Sequence, residues 1–191
     1  MKHLLYLIGE PGVGKSTLAA ELVGSNTYED YDQPFYFRRY DCGPVALGRD
    51  REGYPGTDSL PRDVQPKVIA WMEAIRPELV FAEGDRLANV KFFTAMEDLG
   101  YSLWLYHLVG VDVAFQRRQA RGSHQDPSWI TGRRTAASNL ARHYGAQDIH
   151  TTMPPSFLAQ MLRGPVAEAF RNGNQGVVLH RGAGAGGVAV S

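Results

Sequence analysis

The sequence predicts an α/β fold of three layers, a mostly parallel sheet with helices on both faces. Three observations point to it. Short apolar runs bounded by turn residues alternate with helix-compatible segments along most of the chain, which is the pattern of βαβ units joined by right-handed crossovers. Leu79-Val80-Phe81-Ala82 is continuously apolar, as a strand covered on both faces must be. A glycine-rich stretch stands between the first apolar run and the first helical segment. With 191 residues, 43% of them hydrophobic, the chain fits one well-buried domain and is short for two.

Leu4 to Ile8 is the first strand and Thr17-Leu18-Ala19-Ala20-Glu21-Leu22-Val23 the first helix, with Gly9-Glu10-Pro11-Gly12-Val13-Gly14-Lys15-Ser16 between them. After the polar stretch Gly24 to Gln33, the aromatic run Pro34 to Tyr40 suits a strand. Asp41-Cys42-Gly43 can turn it and Pro44 to Gly48 can return, which predicts a small hairpin. Arg49 to Asp58, rich in charge, glycine and proline, is expected as a loop outside the core. Ser59 can cap a helix beginning near Pro61, with Val64, Val68, Trp71 or Met72, and Ile75 on its apolar face, and Pro77 ends it. The strand Leu79 to Ala82 empties into Glu83-Gly84-Asp85-Arg86, placing carboxylates at the carboxyl end of a parallel strand, where such sheets bind ligands.

Asn89 to Leu99 reads as a helix stopped by Gly100, and Ser102 to Val109 as the next strand, with His107 a hydrogen-bonded core residue. Asp112 can cap a helix through Gln119 that carries Arg117 and Arg118, followed by Arg121 and Gly122. Asp126-Pro127 opens a helix through Trp129, Ile130, Leu140 and Tyr144 to Gly145, with cap and N1 proline in their preferred places. A short strand near Gln147 to Thr151 and a helix from about Pro155 to Phe170 follow, kinked or split at Gly164-Pro165. Val177-Val178-Leu179 suits an edge strand, and residues 181–191 a flexible tail.

Twenty basic residues balance twenty acidic ones, so the whole chain offers no general attraction for a polyanion, although local basic patches remain open. Cys42 is the single cysteine, which excludes an internal disulfide and a multi-cysteine zinc site. No apolar run approaches the roughly 20 residues of a membrane span. The first strand follows Met1-Lys2-His3 directly, so a soluble, cytoplasmic protein without a signal peptide is expected.

Gly9 to Ser16 fits the pattern Gly, four residues, Gly-Lys-Ser/Thr, with a strand before it and a helix after it, the context the motif requires. The glycines let the backbone curl into a nest of N–H donors, and the opening helix turn adds its unpaired N–H groups and positive dipole end. Gly9, Glu10, Pro11, Gly12, Val13, Gly14, Lys15, Ser16 and Thr17 are therefore expected around a bound polyphosphate. Lys15 would reach the β- and γ-phosphates and the Ser16 hydroxyl would ligate Mg²⁺.

Three features together, the loop Gly9 to Ser16, the strand end Glu83-Gly84-Asp85-Arg86 and the arginine-bearing segment Phe115 to Gly122, make the chain resemble the P-loop kinases of nucleosides, nucleotides and small metabolites. The resemblance covers residues 3 to 170 and implies a P-loop NTPase fold with ATP and Mg²⁺ as cofactors. It divides the chain into a kinase domain over 1–180, with 34–60 as an acceptor-side insert and 115–135 as a lid, and the tail 181–191. It implies that Glu83 and Asp85 hold Mg²⁺ or deprotonate the acceptor; Asp85 is preferred as base and Glu83 as the water-mediated metal partner, the reverse being open. An arginine arriving from a mobile lid offsets charge on the transferring group. Arg117 and Arg121 lie four apart on one helix face and are the first choices, with Arg118 directed elsewhere and Arg133 and Arg134 a second basic group. Acceptor recognition falls to Arg38, Asp41, Thr57, Asp58, Arg86 and Arg133.

Neither the Asp-Gly-Phe-Pro-Arg run of adenylate kinases nor the full Asp-Arg-Tyr/His motif of thymidylate kinases is present. Pro55-Gly56-Thr57-Asp58, Glu83 to Arg86 and Gly132-Arg133-Arg134-Thr135 resemble small P-loop kinases of phages and actinobacteria, some of which phosphorylate 5-hydroxymethyluracil in DNA. The expected function is transfer of the γ-phosphoryl group of ATP to a hydroxyl of a nucleoside-, nucleotide- or base-like acceptor. Modified DNA is the specific alternative, and a nucleotide-hydrolysing switch with a protein partner the alternative of another class. ATP against GTP, and the oligomeric state, are open at this stage.

Overall fold

The computed structural model describes residues 1–49, 55–120, 122 and 125–180, with the backbone alone over 175–180. The tail 181–191 and Arg121 lie outside the described residues. The strands are β1 (Lys2–Gly9), β2 (Tyr28–Tyr31), β3 (Phe37–Tyr40), β4 (Val45–Leu47), β5 (Leu79–Glu83), β6 (Tyr101–Val109) and β7 (Gln147–His150). The helices are α1 (Lys15–Val23), α2 (Gln65–Ile75), α3 (Val90–Asp98), α4 (Val111–Ala120), α5 (Pro127–Tyr144), α6 (Pro155–Met161) and α7 (Pro165–His180). The strands form one sheet in the order β2-β3-β4-β5-β1-β6-β7. From β4 to β7 neighbouring strands run parallel, whereas β2, β3 and β4 pair antiparallel.

Side-chain alternation on β1 builds both cores. Leu4, Tyr6 and Ile8 face α2, α3 and α5, where they pack with Val68, Met72, Phe92, Phe93, Met96 and Leu140. Leu5 and Leu7 face the opposite way, toward Leu18 and Leu22 of α1 and Leu158, Val166 and Phe170 of α6 and α7. Phe92, Phe93 and Phe170 are fully buried, and each such side chain stabilises the fold by about 1.5–3 kcal/mol. This is the three-layer arrangement the alternating pattern predicts. Helix ends also follow local chemistry: Asn89 accepts from Phe92 N, Asp126 from Ser128 N and Trp129 N, and α5 stops at Gly145 in the left-handed region.

Several expectations change. The hairpin is no appendage, because β4 pairs in parallel with β5 and Val45, Ala46 and Leu47 are buried in the sheet. The polar stretch before it contains β2, an edge strand held by the stacked Tyr31 and Phe37 rings, 4.8 Å apart, and by Arg38 donating to Asp30 at 2.9 Å. Ser59 caps no long helix; it closes a 3-10 turn, Gly56–Ser59, and α2 begins after Val64 with proline in its first turn, a position that needs no N–H donor. Ile75 is 51% exposed, since the buried face of α2 ends at Met72. Val177 to Leu179 continue α7 instead of forming an edge strand: the helix is already docked through Val166, Ala167 and Phe170. The split at Gly164-Pro165 is present, with α6 ending at Met161.

Candidate active site

The loop between β1 and α1 is shaped by glycine. Gly9 has φ 148°, and a Cβ there would stand 2.7 Å from the Leu108 carbonyl oxygen of β6, so the loop leaves the sheet by a path open only to glycine. Lys15 is folded back over the loop: its Nζ donates to the carbonyls of Gly9 at 2.6 Å and Glu10 at 3.2 Å and lies 3.6 Å from Asp85 Oδ1. The Ser16 hydroxyl donates to Glu83 Oε1 at 3.0 Å. Glu83 closes β5 and is buried. The β1–β5 pairing thus brings the loop's lysine and serine to the two carboxylates at the neighbouring strand end.

The strand end is braced from behind. Tyr6 donates its hydroxyl to the Gly84 carbonyl at 3.0 Å and lies 3.1 Å from Thr57 Oγ1; burial pushes its phenol well above the usual range. Asp58 Oδ1 accepts from the backbone N–H groups of Asp85 and Arg86, both at 3.0 Å. Burial first, and the Asp85 charge second, raise the Asp58 carboxyl. The 3-10 turn Gly56–Ser59 therefore fixes the path of residues 83 to 86.

Lys15, Ser16, Glu83 and Asp85 line one cleft of roughly 1140 Å³, shared by Gly12, Gly14 and Thr17 of the donor loop and by Asp58, Arg62, Arg86, Asn89, Trp129 and Arg133 across from it. Five basic side chains, Lys15, Arg62, Arg86, Arg118 and Arg133, face three acidic ones, Asp58, Glu83 and Asp85, so the cleft suits anionic ligands. Arg86 lines the cleft, and its buried Nε has no hydrogen-bond partner among the described residues. Arg133 sits over the Trp129 ring, with its Nε 4.0 Å from Asp85 Oδ2.

The arginines of the lid segment take places that helical spacing did not reveal. Arg117 donates to the Val13 carbonyl at 2.9 Å. Arg118 is not directed elsewhere: it is buried against the loop, donating to the Pro11 carbonyl at 2.5 Å and to Glu10 Oε2 at 3.3 Å, and it lines the cleft. Arg134 of α5 reaches the same Glu10 oxygen at 2.9 Å. Arg121, the other first choice, lies outside the described residues.

Of the expected acceptor residues, Asp58, Arg86 and Arg133 meet in the cleft. Thr57 is fully buried behind it. Asp41 lies in the hairpin turn and accepts from Thr27 Oγ1. Arg38 lies against Asp30 and the Tyr28 ring, lining a cavity of about 180 Å³ between α1 and the sheet that shares Glu83 with the cleft. The hairpin's incorporation into the sheet puts Asp41 at the amino end of β4, whereas Arg38 pairs with Ala46 and shares its cavity with Gly48 and Glu83 at the strand ends. Arg62 and Asn89 were missed. Asn89 is visible in the sequence only as a helix cap, and Arg62 carries no signal there.

The donor set fits a nucleotide with Mg²⁺. One hydroxyl and one carboxylate, Ser16 and Glu83, stand together beside a loop of N–H donors, and Mg²⁺ characteristically takes few protein ligands and completes its shell with phosphate and water. Among the described residues no group of three or more His, Cys, Asp or Glu forms an all-protein metal site. None of their helices is long and apolar enough to cross a membrane.

No curated protein matches the chain in sequence. Residues 1–153, which span β1 to β7 and include every residue of the cleft, match the family described as P-loop Nucleotide Kinase3, and the chain belongs to that family of P-loop kinases, whose chemistry is nucleotide-dependent phosphoryl transfer.

Proposed function

We propose that the chain is a Mg²⁺–ATP phosphotransferase that moves the γ-phosphoryl group to a hydroxyl of a nucleoside-, nucleotide- or base-like acceptor. The observation that carries this reading is the position of Asp85, 3.6 Å from the donor loop's Lys15 and 4.0 Å from Arg133 on the opposite wall. A carboxylate between a donor-phosphate lysine and an acceptor-side arginine stands where a hydroxyl must lose its proton.

Each residue then has a part. Backbone N–H groups of Gly12, Gly14 and Lys15 cradle the donor phosphates, and Lys15 exchanges its carbonyl partners for phosphoryl oxygens. Ser16 and Glu83 would hold Mg²⁺, which would supply positive charge against the phosphoryl oxygens of the donor. Arg62, Arg86 and Asn89 orient the acceptor, and Arg133 approaches from α5. Asp85 takes the hydroxyl proton as the acceptor oxygen bonds to phosphorus and the bridging oxygen leaves with the nucleoside diphosphate. Arg117 and Arg118 hold the loop through the Val13 and Pro11 carbonyls.

Transfer of labelled γ-phosphate from ATP to a panel of nucleosides, nucleoside monophosphates, small alcohols and DNA with or without hydroxymethylated pyrimidines tests the proposal, with Lys15→Ala as control. Label on one acceptor, lost in the variant, is the expected result. Steep salt dependence would accompany a DNA acceptor. Phosphate released to water alone, with no acceptor labelled, would replace the kinase with a hydrolysing switch.

A further inference from the structure

Glu10 is an unexpected residue in a loop shaped for polyphosphate, because a carboxylate there opposes the anion the loop receives. It is nevertheless 3% exposed. Its Oε2 accepts from Arg118 Nη1 at 3.3 Å, from Arg134 Nη2 at 2.9 Å and from Arg134 Nε at 3.2 Å. Arg118 belongs to α4 and Arg134 to α5, the two helices that contribute to the lid segment 115–135. One buried oxygen in the loop therefore meets both helices. Glu10 and its two arginines together carry one positive charge in excess, so this arrangement turns an unfavourable carboxylate into a net cationic group beside the anion site.

We propose that Glu10 is a positioning residue whose carboxylate ties α4 and α5 to the phosphate loop by holding Arg118 and Arg134 there. Without that charge the two guanidinium groups face each other with no counter-ion, and like charges at close range repel. Both helices then lose the same anchor. Arg118 keeps a second hold through the Pro11 carbonyl, while no other hydrogen-bond partner is seen for Arg134 among the described residues. The tie is a property of the nucleotide-free chain. Only its consequence for transfer rests on the phosphotransferase reading: by fixing Arg118 on the cleft wall, Glu10 sets the geometry in which a bound phosphoryl group meets it.

Amide hydrogen exchange on the nucleotide-free protein tests the tie directly. Glu10→Gln should speed exchange about tenfold or more in Val111–Ala120 and Pro127–Tyr144 together, the range expected for losing hydrogen bonds to a charged group. Arg134→Gln should loosen α5 and leave α4 protected, and the double variant should exchange no faster than Glu10→Gln alone, since both act through one contact. Loosening of a single helix in Glu10→Gln, unchanged exchange, or additive effects in the double variant would overturn the proposal. If Glu10→Gln does not fold, Glu10→Asp and Arg134→Gln carry the test, and unchanged exchange in α5 of Arg134→Gln overturns it. With an acceptor in hand, Glu10→Gln should lower kcat about tenfold with the ATP KM changed by less than about threefold, and Glu10→Asp should restore part of kcat. A change in KM alone would reject the positioning role. Loosened helices in a protein whose wild type labels no acceptor would reject the phosphotransferase reading and leave the tie standing.

Discussion

Asp85→Asn is the sharpest test of the cleft's chemistry, because it removes a charge and a proton acceptor while leaving size and shape unchanged. Asp85 Oδ1 lies 3.6 Å from Lys15 Nζ, and the two side chains are 20% and 9% exposed. At an effective dielectric of about 20, two unit charges at that distance attract by roughly 5 kcal/mol before desolvation, which cancels much of it. The Arg133 contact adds less, since that side chain is 43% exposed and water screens it. Lys15 still has the Gly9 and Glu10 carbonyls at 2.6 and 3.2 Å, so the variant keeps its donor lysine in place. ATP binding measured by calorimetry should therefore change by no more than about tenfold, or roughly 1.4 kcal/mol. Single-turnover transfer of labelled γ-phosphate should fall by roughly 10²–10⁴, the usual contribution of a general base. Transfer within about threefold of wild type would refute the assignment of the base to Asp85. If Glu83→Gln then abolished transfer without weakening Mg²⁺ dependence, the two carboxylates would exchange roles.

Gly84→Ala should damage both the fold and the site: φ is 111°, and the added Cβ would stand 2.8 Å from Thr57 Oγ1 and 3.1 Å from Asp58 Oδ2. A loss of about 1–3 kcal/mol, seen as a Tm lower by several degrees, is expected, and an unchanged Tm would show that the strand end yields freely. Asp58→Asn should change the pH dependence of stability. A carboxyl raised in the native state stabilises the fold fully below its unfolded value of 3.8 and loses that contribution as pH rises through the native value. The asparagine keeps an acceptor for the Asp85 and Arg86 N–H groups, so urea midpoints of the variant should gain on wild type across that window. A difference constant with pH would refute the burial argument. Tyr101, whose phenol is pushed by burial from 10.0 up to about 12, contributes stability that is present below 10.0 and lost between 10.0 and about 12. Tyr101→Phe should flatten that part of the alkaline unfolding profile, and an unaltered profile would exclude the contribution.

Most helix boundaries were legible because they are written in adjacent residues. Asn89 and Asp126 cap through their own side chains, Gly145 supplies the left-handed stop, and Gly164-Pro165 separates α6 from α7. The elements misjudged are those whose state depends on a distant partner. Tyr28-Glu29-Asp30-Tyr31 is three-quarters exposed by residue and is a strand only because Phe37 to Tyr40 offers it an edge. Val45 to Leu47 is three residues long and becomes a core strand through its parallel pairing with β5. A strand that short has no periodicity to read. Once it joins the sheet, Asp41 falls in the turn at the amino end of β4, far along the strand from the Glu83 end of β5, while Arg38 pairs with Ala46 and lines a cavity that reaches Glu83.

The donor half of the site was legible for the opposite reason: strand, loop and helix are contiguous, and Lys15 and Ser16 sit within them. What contiguity could not supply is the approach of α4. Helical spacing groups Arg117 with Arg121, yet Arg118 enters the cleft, because orientation is set by how closely α4 packs on the loop. A Cβ at Gly12 would stand 3.0 Å from the Ala114 carbonyl and 2.9 Å from Arg118 Cγ. Ala114 itself is fully buried. Gly12 thus serves two ends at once, the curl of the phosphate nest and the room for a second helix to lie against it. The motif announces only the first. The second is encoded by the small residues Gly12 and Ala114 meeting across about a hundred positions of sequence, and it decides which arginine meets Glu10.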